Sequence, residues 1–134
     1  MVPISKFELS DIKDLNEMEI RGTYNDKGII VAVVVNKKSL KSYYVMIQPD
    51  TEKLTPTSNV RIKCSCQNFT FQWAAVLKKH DALLEAQQMG IYGDQEPKIT
   101  NPQNLIGCCK HVKFVITNIL KGTMNPISNV KGQI

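Results

Sequence analysis

A chain of 134 residues with 43% hydrophobic and 22% charged side chains has the make-up of one ordinary globular domain with a single modest core. No apolar run approaches the roughly 20 residues that a membrane-spanning helix needs. The opening "MVPISKFELSDIKDL" lacks the basic-then-apolar order of a secretory signal, so an intracellular setting with reduced thiols is the expectation.

The net charge of +5 is unevenly placed. Residues 1–60 hold eight basic and eight acidic side chains, whereas residues 61–134 hold nine basic and four acidic. A basic half suits phosphate, an anionic membrane surface or an acidic protein, and equally a solvated lysine-rich face. Only Arg21 and Arg61 are arginines, so bidentate recognition of phosphate or guanine has few candidates.

Taken in chain order, "SDIKDLNEMEI" suggests a short helix capped by Ser10, with Ile12, Leu15 and Glu19 near one face. "EIRGTY", "GIIVAVVVN" and "KSYYVMIQ" read as three strands, joined by the turns "NDKG" and "NKKSL". Residues 29–35 are continuously apolar and β-branched, as in a central strand covered on both faces. After the Pro-containing loop "PDTEKLTPTSN", "VRIKC" alternates strictly. Val60, Ile62 and Cys64 fall on one face, and Arg61 and Lys63 on a face expected to be wet.

The period then changes. Phe69, Trp73, Val76, Leu77, His80 and Leu84 recur at helical spacing and predict an amphipathic helix over 70–88. A long loop with several Gly and Pro residues follows over 89–107. A second helix is expected from Cys109, with Val112, Val115, Ile116, Ile119 and Leu120 as its buried stripe and Gly122 as its stop. The tail from 122 to 134 shows no pattern and reads as an arm. The fold class expected is α+β: a small antiparallel sheet of three to four strands followed by two helices. Residues 1–59 would form a β-meander part and 60–121 a metal-binding part of one domain.

Two tight pairs of soft ligands stand out, Cys64 with Cys66 in "CSCQNF" and Cys109 with His111 in "GCCKHV". A C-x-C pair at a strand end and a C-x-H pair at a helix start can each aim two donors at one point. Together they supply the Cys3His set that holds Zn2+ in a tetrahedron. The positive helix N-terminus favours a thiolate at Cys109. Three thiolates and one Zn2+ would change the net charge to +5 + 2 − 3 = +4. Other readings remain open at this point. The cysteines could be small core residues, or redox-active despite the lack of a C-x-x-C spacing. Cys108 could replace Cys109 as a ligand. His80 is a second imidazole, on the apolar face of the first helix and expected to be packed in the core.

These motifs resemble the SWIM-type zinc finger, C-x-C followed by C-x-H on a β-β-α frame, over roughly residues 60–120. "CSCQNF" carries the aromatic after the first pair and "GCCKHV" the Gly before the second. Here the spacer, residues 67–108, is longer than is usual and would hold a helix and a loop. The resemblance implies one Zn2+ on Cys64, Cys66, Cys109 and His111, and a non-enzymatic module that binds DNA or protein. "CSCQNFTFQWAAVLKKH…TNPQNLIGCCKHV" also resembles small stand-alone proteins of large tailed phages, some of them thought to be virion components. That likeness implies a structural or assembly protein docking on a larger complex, in the host cytoplasm or the virion. The alternative is nucleic-acid binding through Arg61, Lys63, Lys78, Lys79, Lys110 and Lys113, dominated by phosphate contact. Neither an enzymatic activity nor a small-molecule substrate is expected.

Overall fold

A computed structural model describes residues 1–84, 106–122 and 127–128. β1 (Val2–Pro3), β2 (Met18–Asp26), β3 (Ile29–Asn36), β4 (Ser42–Pro49), β5 (Asn59–Cys64) and β6 (Ile127–Ser128) form one sheet in the order β1-β5-β4-β3-β2-β6. The first five pair antiparallel, and β6 lies parallel to β2 beside Tyr24 and Asn25. The sheet is therefore wider than the three to four strands expected. The two added strands are two-residue edge pieces, too short to leave a periodic signal.

Local sequence dictates the central hairpins. Asp26 pairs with Ile29 across Lys27 and Gly28, both at positive φ (54° and 84°), the two-residue turn whose twist matches that of the strands. Asn36 organises the next turn, its Oδ1 accepting from the N–H groups of Lys38 and Ser39 at 2.9 Å. In β3, Ile30, Ala32 and Val34 face the main core, and Val31 and Val35 on the opposite face are buried too, as a doubly covered strand requires.

Both helices pack on one face of the sheet. A π-helical turn, Phe69–Trp73, runs directly into α1 (Ala74–Lys79), and α2 spans Lys110–Leu120. Phe69, Leu77, Val112, Val115 and Ile116 join Val45, Ile47, Val60 and Ile62 in a shared core. α2 ends as expected, with Gly122 at φ +73° and its N–H donating to Ile119 O at 3.0 Å.

Two helical expectations are corrected. The stretch from Ser10 forms no α-helix. Asp14 takes a left-handed conformation (φ 57°), one 3-10 turn covers Leu15–Glu17, and β2 begins at Met18. The helix expected over 70–88 stops at Lys79. Asp81, at φ 53°, closes it with Asp81 N–H to Lys78 O and Ala82 N–H to Leu77 O, the bonding of a Schellman cap. Ala82–Leu84 then runs along β5, with Ile62 N–H donating to Ala82 O and Leu84 N–H to Ile62 O, both at 2.9 Å. The free edge of β5 thus captures a segment whose local spacing still reads as helix. His80 consequently sits exposed at the helix end rather than in the core. Residues 85–88 of that expected helix, and the expected loop as far as residue 105, lie outside the described residues, as does most of the tail. No helix among the described residues is long and apolar enough to cross a membrane.

Candidate metal centre

Cys64 closes β5 on its core-facing side, directly across from Val45 of β4. Ser65 extends the pairing past the strand: its N–H donates to Tyr44 O at 3.1 Å and its hydroxyl accepts from Tyr44 N–H at 2.9 Å. That tether fixes the turn that brings Cys66 back beside Cys64. Cys66 in turn anchors the π-helical turn. Its carbonyl accepts from Thr70 N–H at 3.2 Å and its Sγ from Phe69 N–H at 3.3 Å. From the other side, Cys109 occupies the N-cap of α2 and His111 its first turn.

The four side chains meet. One ligand atom each from Cys64, Cys66, Cys109 and His111 lies within 4.8 Å of the other three, and all four residues are buried. A tetrahedral zinc bonded to sulfur at about 2.3 Å needs donors about 3.8 Å apart, so a small inward movement completes the shell. The imidazole supplies the sharper test of fit. Both ring nitrogens of His111 are buried without a hydrogen-bond partner, a costly arrangement that a metal bond would relieve at one of the two. The cluster therefore fits one metal ion, for which three thiolates and an imidazole favour zinc.

The charges follow from the packing. Hydrogen bonds from the Cys109 and Cys64 thiols, before any other cause, hold Cys66 far below the ordinary thiol range. The reciprocal bonds to Cys109 and Cys66, with burial, push Cys64 far up. Burial is the main cause that pushes Cys109 up to about 12, against an opposing pull from its hydrogen bond with Cys64 and a smaller one from the Val112 N–H at the helix start. The three sulfurs thus titrate as one coupled group, in which mutual hydrogen bonds favour a thiolate and burial favours the thiols.

Cys108 is buried beside the cluster but is no part of it, and burial holds its thiol well above the usual range. Tyr43 is a site residue that sequence reasoning missed. Its ring lies 4.3 Å from that of His111, tilted by 35°, and so fixes the imidazole plane. Alternation in "SYYVMIQ" places Tyr43 on the face of Val45, but only the β4–β5 register brings it to the cysteine end. Gly107 is explained by a close approach: a Cβ there would stand 2.7 Å from the indole of Trp73.

The six candidate nucleic-acid contacts differ in how far they are engaged within the chain. Arg61 is committed to Asp81 (Nη2 to Oδ2, 2.7 Å) and to Gln48 (3.3 Å). Lys63, expected on a wet face, is buried, whereas Arg61 on the same side of β5 is only partly so. Lys110 pairs with Asp14 Oδ2 at 2.5 Å, and Lys113 donates to Asp11 O at 3.2 Å. Lys78 and Lys79 are exposed at the end of α1. No family model, curated protein or solved structure matches the chain.

Proposed function

We propose that this chain is a non-enzymatic structural or assembly protein, clamped by one zinc ion and docking on a larger protein complex. The observation that carries this reading is the buried Cys3His group joining the end of β5 to the start of α2. Four protein donors fill a tetrahedral shell and leave no position for water or substrate, the pattern of a structural rather than a catalytic zinc. Bound zinc would hold two half-sites distant in sequence, and apparent binding energies of such sites reach on the order of 10 kcal/mol in peptides. The SWIM-like spacing of the ligands and the likeness to small phage proteins extend the reading to a virion component.

Nucleic-acid binding is the weaker reading, since Arg61, Lys110 and Lys113 already hold partners within the chain. Fluorescence anisotropy of labelled duplex and single-stranded DNA with zinc-loaded protein tests it between 50 and 300 mM salt. The assembly reading expects no micromolar binding. Micromolar binding that falls log-linearly with salt would overturn it in favour of phosphate contact.

A further inference from the structure

Beside the metal cluster opens a cleft of about 670 Å³. Its wall includes Tyr43, Cys66, Trp73 and His111, and its rim carries Lys13, Lys41, Lys110 and Lys113, which sequence order scatters over a hundred residues. Asp11 and Asp14 lie on the same rim and a zinc-loaded Cys3His cluster in the wall would add one net negative charge, so four cations face three negative charges. Lys110 pairs with Asp14 and Lys113 with the Asp11 carbonyl. Lys13 and Lys41 are exposed, with no ion pair or side-chain hydrogen bond among the described residues.

We infer that this cleft is the docking site for an acidic segment of a partner protein, an inference resting on the assembly role proposed above. Lysine ammonium groups are strongly hydrated point charges suited to carboxylates, and no arginine lines the cleft to grip a phosphate bidentately. The exposed amide of Gln67 on the same wall offers a donor and an acceptor to a peptide main chain. Nucleobases would need free aromatic faces. Here Tyr43 spends a face on His111, and Trp73 packs on Gly107 with its Nε1 donating to Asn68 Oδ1 at 3.2 Å.

The chain has one tryptophan, and it stands in the cleft wall. Zinc-loaded full-length protein is titrated with a ten-residue Glu/Gly peptide, its Gln/Gly counterpart and a ten-nucleotide oligothymidylate, reading Trp73 emission and anisotropy. The Glu peptide alone should shift Trp73 emission. The double variant Lys13→Glu/Lys41→Glu should weaken it by about tenfold or more, while the equally charged Lys27→Glu/Lys53→Glu should weaken it by about threefold or less. Equal losses in both variants, or no Trp73 response, would overturn the cleft as the site. A tighter response to the oligothymidylate would overturn the peptide as its occupant. The assembly role fails separately: size analysis of the chain in its source cells would then show a monomer. Wild type and Lys13→Glu/Lys41→Glu remaining together in a large complex would sink the cleft alone.

Discussion

Hydrogen bonds from its neighbours lower Cys66, whereas those bonds and burial raise Cys64, and burial above all raises Cys109. Zinc needs all three sulfurs as thiolates, so its binding displaces protons from the two raised thiols, Cys64 and Cys109. Because both thiols titrate above their ordinary range, raising the pH favours the metal. Affinity should climb roughly 100-fold per pH unit near pH 8, measured by competition with a chelator of known pH dependence. A flat profile would show that these thiols are not displaced. Cys108→Ala should keep full zinc content and cost about 1–2 kcal/mol of packing, whereas Cys66→Ala or His111→Ala should lose the metal. Elemental analysis of the purified variants separates these outcomes. Gly107→Ala would drive a methyl group into an indole pinned by Asn68. We expect a loss of about 1–3 kcal/mol in urea unfolding with a shifted Trp73 emission, and unchanged values would show that the contact relaxes freely.

Between elements, a metal on the cluster would tie the end of β5 to the start of α2. β3 and β4 are held by a continuous ladder and by side chains buried in the sheet itself. α2 is held by its Val112, Val115 and Ile116 stripe and by two of the four ligands. Removing zinc from the full chain should therefore deprotect α2 amides in hydrogen exchange by tenfold or more relative to β3. Equal loss across both would mean that the sheet depends on the metal as much as the helix does. The elements that were legible in the sequence are those decided locally. The β-branched run of β3, the Lys27–Gly28 turn and the α2 stripe carry their own period and caps. The end of α1 was not legible, because Ala82 and Leu84 keep a helical spacing while the backbone of Ile62 draws them to the sheet edge. The donor set was readable from two short motifs. The contact of Tyr43 with His111 needed the cross-strand register, and the burial of Lys63 was hidden by the strict alternation of "VRIKC".

At the scale of the molecule, three of the basic side chains of residues 61–134 are answered within the chain. Asp81 answers Arg61, and the N-terminal half sends Asp14 and the Asp11 carbonyl to Lys110 and Lys113. What remains open on the cleft rim comes from Lys13 and Lys41, in the half whose charges sum to zero. Sequence blocks of charge are thus a poor guide to a surface that folding assembles from both halves. The most direct test of the account is zinc-edge X-ray absorption on the purified full chain, with the metal counted per molecule. One zinc bound by three sulfurs at about 2.3 Å and one nitrogen at about 2.0–2.1 Å is the predicted result. An oxygen-rich shell, fewer than three sulfurs, or no stoichiometric metal would contradict a closed structural site.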